Sequence, residues 1–443
     1  MKKLIIAGFA IAALGLTGCS DDDDAPNEPI ASCTDGVRNG NETGVDCGGP
    51  CTACDDDPGN GNGGETPQDE DLSGLLTEDF TLTNDIIWEL NGKFVVGDGA
   101  TLTIEPGTII KGREGTGSLA SALIVARGGR IMAEGTADNP IIFTSINDNI
   151  EVGQQQGSNL DENDRGLWGG VLILGHAPSS FEGDSEESQI EGIPADDDYG
   201  RYGGDIADDD SGVFQYVSIR HGGALIGSGN EINGLTLGGV GNGTVIDHIE
   251  VVGNVDDGVE WFGGTVDASN ILVFAGGDDG LDIDQAYSGT VTNALVIQGA
   301  ESDHGLEIDG PEGTMMGSFT IQDLTIIGDP NAPSGEIADL RDGAMGAFNN
   351  VYIRGFNADQ DVEIDDADSA ENYTSGDLSF SAWEIVLPEG VESVSSIFND
   401  TTESTDFSSD AAEFATAIEQ DQETVGADLS AFGWTYASFR GAY

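Results

Sequence analysis

The chain has 443 residues, of which 82 are acidic and 14 basic, giving a formal charge of −68. So large an acidic excess argues against nucleic acid as a partner, and against anionic lipid or acidic polymers without a bridging cation. Sixty-seven glycines and only 7% aromatic residues suit a fold that turns constantly and stacks small and branched side chains.

The chain begins as an address. Lys2 and Lys3 form a basic start, residues 4–15 an apolar run too short for a comfortable membrane span, and Leu16, Thr17, Gly18 and Cys19 a cleavage box. This resembles a bacterial lipoprotein signal, so residues 1–19 are read as a signal peptide with Cys19 as the lipidated residue. The run Ser20, Asp21, Asp22, Asp23, Asp24 resembles the acidic export tag of Bacteroidetes lipoproteins; the other reading is a plain solvated tether. The expectation is a lipoprotein held in the outer membrane by its anchor and exposed at the cell surface.

Residues 20–74 form an acidic tether that cannot bury a core, and 55–71, with its Gly/Asn run at 59–64, reads as a flexible acidic linker. Cys33, Cys47, Cys51 and Cys54 lie within this tether. In an exported protein two disulfides are the default, with the pairing open, although the spacing also fits a zinc set. The run 33–51 resembles a small cysteine-rich module of secreted bacterial proteins, which implies a stapled spacer at 33–54.

From about Leu75 short β-rich runs recur. Gly234, Gly258, Gly280 and Gly305 fall 24, 22 and 25 positions apart. A second comb runs half a period out of phase: Ile249, Ile271, Ala294, Leu324 and Val351 start its teeth, preceded by His248, Asn270, Asn293, Asp323 and Asn350. The asparagines read as turn or ladder residues. Such a repeat predicts the coils of a β-solenoid over 75–375. Two polar segments, 147–165 and 178–210, break the rhythm and are expected as surface loops. Residues 376–443 are expected to cap the solenoid, with a helix near 409–419 and an aromatic tail (Phe432, Trp434, Tyr436, Phe439, Tyr443) covering its exposed end. An aromatic carbohydrate platform is the sharper alternative for that tail.

Several phrases carry a family resemblance: 102–112 (Leu-Thr-Ile-Glu-Pro-Gly-Thr-Ile-Ile-Lys-Gly), 130–141 (Arg-Ile-Met-Ala-Glu-Gly-Thr-Ala-Asp-Asn-Pro-Ile), 167–170 (Leu-Trp-Gly-Gly), 217–223 (Val-Ser-Ile-Arg-His-Gly-Gly), 229–241 and 256–266. Over about residues 85–440 the chain resembles the right-handed parallel β-helix lipoproteins of Bacteroidetes and marine proteobacteria, mostly of unassigned function. The resemblance implies an all-β, pectate-lyase-like parallel β-helix and no activity.

Stacking the repeats sets Asp256, Asp278 and Asp303 in one column and Asp257, Asp279 and His304 in the next. Glu260, Asp282 and Glu307 form a third column that faces outward, because Val259, Leu281, Leu306 and Trp261, Ile283, Ile308 alternate inward. Coils are about 4.8 Å apart, so such carboxylates need full solvation, shared protons or a bound cation. Calcium is the expected cofactor if there is one, on Asp256, Asp257, Asp278, Asp279, Asp282 and Asp303. Asp257, Asp278, Asp279 and His304 also resemble, in order and spacing, the catalytic acids of polygalacturonases, which would imply a general acid and a water-activating base. That family's basic Arg-x-Lys phrase is missing, as is the base of β-helix lyases; Arg220 with His221, and Arg341, are the nearest candidates. The first expectation is therefore a non-catalytic surface protein with a binding, adhesion or outer-membrane accessory role, its partner an extracellular glycan or an outer-membrane protein. The second is a glycan-cleaving enzyme on the same scaffold.

Overall fold

A computed structural model describes residues 71–193, 197–225, 231–332 and 336–443. Cys19, the four tether cysteines and the acidic run lie outside the described residues. From Asp71 onwards the chain winds into a right-handed parallel β-helix, with 24 strands joined in one parallel system among the described residues. The three faces arise from the local sequence. On the first, Val171–Leu174, Leu235–Gly238, Val259–Phe262, Leu281–Asp284, Leu306–Asp309, Ala338–Arg341 and Val362–Ile364 pair successively in register. The other two faces meet inside single long strands such as Ala268–Phe274 and Thr290–Ile297, each bent at one residue.

The bend is where the predicted ladder sits. His248, Asn270, Asn293, Asp323 and Asn350 all have φ between 52° and 62°. Asn and Asp tolerate this left-handed conformation because their short polar side chains bond locally. Asn293 Nδ2 donates to Asn270 Oδ1 (2.6 Å) and Asn350 Nδ2 to Asp323 Oδ1 (2.8 Å), so these two corners are tied to the preceding coil. His248 instead stacks on Tyr216, with centroids 4.1 Å apart.

Side chains alternate across every strand, and the expected inward set is inward. Val259, Leu281 and Leu306 stack in one row and Trp261, Ile283 and Ile308 in the next, none more than 1% exposed. Burying each large aliphatic side chain is worth about 1.5–3 kcal/mol, repeated at every coil.

The C-terminal region departs from expectation in two ways. The helix spans Phe407–Phe414 and stops there, because Ala415–Ala417 adds a last parallel rung to Trp383–Ile385. The end of the stack is closed by Phe380, Trp383, Phe398, Phe407 and Phe414, packed ring against ring. The aromatic tail does not cover that end. Phe432, Tyr436 and Ala437 lie on the outer apolar side of another face, against Val252, Leu272, Phe274, Leu295 and Ile297. The sequence shows an apolar tail but not which of two apolar surfaces it covers.

Both insertions pack on the outside. Ile150 from 147–165 rests on Ile109 and Ile142. The insertion at 178–210 brings Phe181, Ile190, Ile193 and Tyr202 onto Ile124, Leu172, Leu174 and Phe262 of the first face. This second insertion decides where the site lies.

Candidate functional site

The outward row of the first face changes character along the stack. It is apolar at Leu172 and Leu174 under the 178–210 insertion. It then becomes Glu260, Asp282, Glu307, Asp339 and Glu363, one acid per coil and in register. At this boundary lies a cleft of about 680 Å³, walled on one side by Gln189, Glu191 and Tyr202 of the insertion and lined by Asp256, Asp257, Asp278, Asp279, Asp282, Asp284 and His304. Tyr202 Oη donates to Gln285 Oε1 at 2.7 Å, fixing the insertion to the face.

The column Asp257, Asp279, His304 is a backbone ladder. Asn233 Oδ1 accepts the N–H of Asp257 (3.3 Å), Asp257 Oδ1 that of Asp279 (3.0 Å), and Asp279 Oδ1 that of His304 (2.8 Å). Each side chain satisfies an amide of the next coil that the strand ladder leaves unpaired. These residues therefore have a structural role whatever else they do.

Charge divides the cleft in two. In the later coils the acids have internal partners. His304 Nδ1 lies 2.8 Å from Asp279 and 3.4 Å from Glu307. Burial alone would push this imidazole down, but its bonds to Asp279 and Glu307 prevail and raise it to about 11. Arg341 bonds Glu307 and, at 2.8 Å, Asp309, with Asp339 at 3.6 Å. In the earlier coils, among the described residues, no ion pair reaches Asp256, Asp257, Glu260, Asp278 or Asp282. Burial, then repulsion from neighbouring carboxylates, raises Asp257, Glu260 and Asp282 well above the usual range, and pushes Asp256 up to about 7. Asp279 is also pushed up to about 7, by burial against the opposing pull of His304.

The structure brings most of the sequence-derived residues to one place and sorts them. Asp256, Asp257 and Asp278 offer oxygens within 4.8 Å of one another, as do Asp257, Glu260 and Asp282. Asp279 belongs instead to His304 and Glu307. Asp303 sits at the margin, its side chain 45% exposed and 4.0 Å from His304 Nε2. Full solvation of the outward column is overturned: Glu260 and Asp282 are 6% and 8% exposed. Glu260 was readable as outward but was not singled out as a ligand, and Glu191, Tyr202 and Asp284 were missed. No periodic signal assigns an irregular insertion to a face. Of the basic candidates, Arg341 lines the cleft. Arg220 is buried on another face against Glu250, and His221 bonds the carbonyl of Asp164.

A long in-register parallel coil of this kind is a pectate-lyase-like β-helix scaffold. The family model described as a pectate-lyase like beta helix domain matches residues 74–437. The chain belongs to that family. No curated protein and no solved structure matches it.

Proposed function

We propose that the protein is a surface-anchored, non-catalytic β-helix lipoprotein that binds an extracellular ligand in its acidic cleft. The observation that carries this reading is the commitment of the would-be catalytic groups. Asp257 and Asp279 each hold a backbone amide of the next coil. His304, raised to about 11, is an imidazolium locked between two carboxylates and cannot serve as a base near neutral pH. Arg341 is spent on Glu307, Asp309 and Asp339. The acidic floor favours a ligand that presents hydroxyl groups or positive charge, or a cation between it and the floor. A glycan of the surroundings meets that description, as does a basic patch on an outer-membrane protein. Lipidation at Cys19 and the acidic run after it would place the cleft outside the cell.

One observation favours the second reading, a glycan-cleaving enzyme using Asp257, Asp278, Asp279 and His304. Carboxyls held near 7, as Asp256 and Asp279 are, are what a general acid requires. Prolonged incubation with polygalacturonate, alginate and neutral plant and algal glycans decides between them. The binding reading expects no new reducing ends and no unsaturated products, with retention on at least one immobilised glycan or outer-membrane fraction. Cleavage abolished by Asp278→Asn would overturn it.

A further inference from the structure

Asp257, Glu260 and Asp282 form the floor of the cleft, and each is more than nine-tenths buried. Their ligand oxygens lie within 4.8 Å of one another. No basic side chain among the described residues pairs with them, whereas Asp279, Glu307 and Asp309 have His304 and Arg341. Burial removes solvation as the remedy for their repulsion, which leaves protons or a cation. Sharing protons would place the carboxyl oxygens in hydrogen bonds with one another. Asp282 Oδ1 is fully covered and has no partner. A buried acceptor left unpaired is costly, so this oxygen marks the place where something is received.

The neighbours hold the other two carboxylates in position. Asn233 Nδ2 donates to Glu260 Oε2, and the amide of Asp279 donates to Asp257 Oδ1. Asp257 also belongs to the group with Asp256 and Asp278. Asp256 is half-buried and Asp278 exposed, so a graded row of carboxylates leads from the rim to the floor. The cluster of Glu336, Asp361 and Glu363 has no comparable unpartnered oxygen, and the group at Asp279 is already occupied by the His304 imidazolium.

We propose that Asp257, Glu260 and Asp282 bind a calcium ion at the cleft floor; this rests on the binding reading of the cleft and gives its ligand an ion to engage. An all-oxygen, carboxylate-rich set selects a hard cation. Calcium accepts six to eight oxygens in irregular arrangements, so three protein carboxylates leave positions for water or for oxygens of a ligand entering from the cleft. Magnesium requires a tight octahedron and gives up its water reluctantly.

The test is calorimetric titration of chelator-stripped full-length protein in detergent with calcium, and with magnesium at equal ionic strength. Saturable calcium binding with a clear preference over magnesium is expected. Asp282→Asn and Glu260→Gln should each weaken it by about tenfold or more. Asp309→Asn, whose partner is Arg341, should leave it unchanged. Terbium luminescence excited through Tyr202 provides a readout on the unaltered chain, and calcium should displace the terbium. Undetectable binding, indifference between calcium and magnesium, terbium that calcium does not displace, or wild-type affinity in Asp282→Asn would each overturn the site. Failure of the ion site would leave the binding reading standing, whereas glycan cleavage by the calcium-loaded protein would overturn that reading and leave the ion.

Discussion

The carboxylate of Glu250 accepts the backbone N–H of Ala437 at 2.8 Å, joining positions 187 residues apart. Glu250 is wholly buried, its other oxygen accepts Ser218 Oγ at 2.6 Å, and Arg220 lies 3.8 Å away beneath the ring of Tyr436. Breaking a buried ion pair by removing one partner costs about 3–5 kcal/mol, because the other charge stays buried. Glu250→Gln should therefore destabilise the protein by about 3 kcal/mol in urea denaturation and increase protease access to the tail. A change under about 0.5 kcal/mol would show that this contact does not hold the tail.

Stability should fall as pH rises through the range in which most proteins are stable. Burial raises Asp256, Asp279 and Glu336 to about 7 and Asp339 and Asp361 to about 6, against about 4 in the unfolded chain. Between those values the folded state binds more protons than the unfolded state, so stability is lost from about pH 4 to pH 7. His304, raised from 6.5 to about 11, adds a contribution present below pH 6.5 and lost as pH approaches 11. The melting temperature of the chelated protein should be higher at pH 5 than at pH 8. Arg341→Ala, which strands Glu307, Asp309 and Asp339, should cost more at pH 8 than at pH 5. A melting temperature that climbs from pH 5 to pH 8 would contradict the first expectation, and a cost of Arg341→Ala no larger at pH 8 than at pH 5 the second.

The corner ladder predicts a backbone effect separable from hydrogen bonding. Asn350 has φ 58° and donates to Asp323. Asn350→Gly and Asn350→Val both lose that bond, but only valine is strained in the left-handed region. Valine should be the less stable by about 1–2 kcal/mol. Equal denaturation midpoints would mean that the corner relaxes.

The proposed lipid anchor is tested by fractionation. Cys19→Ala should release the protein from the membrane fraction and abolish incorporation of labelled palmitate. Replacing Asp21, Asp22, Asp23 and Asp24 with serine should hide it from protease added to intact cells. Unchanged labelling, or unchanged protease access, would remove the lipid or the export tag respectively.

The coil repeat and its register were legible because one face of every strand is forced inward, so that Leu281 and Ile283 declare themselves by alternation. The corner asparagines were legible because few residues accept a positive φ. The acidic columns were legible as columns, since in-register parallel pairing turns a sequence period into an address. Their burial was not, because the cleft around Glu260 and Asp282 is walled by an insertion with no period of its own. Nor was the split between internally neutralised and unneutralised acids, which depends on His304 and Arg341 reaching across coils.

Solenoids unfold in a nearly one-dimensional manner, each coil coupled mainly to its neighbours. The tail alters that connectivity. Beyond the last rung at Ala417 it returns to Val252, Leu272 and Leu295, linking the chain's end to coils far from the stack's end. Terminal coils cannot peel away indefinitely while the tail stays docked, and coils that would otherwise melt in sequence share a common constraint. Their unfolding should be a single cooperative transition that resolves into successive steps once the tail is released by Glu250→Gln, which calorimetry can resolve.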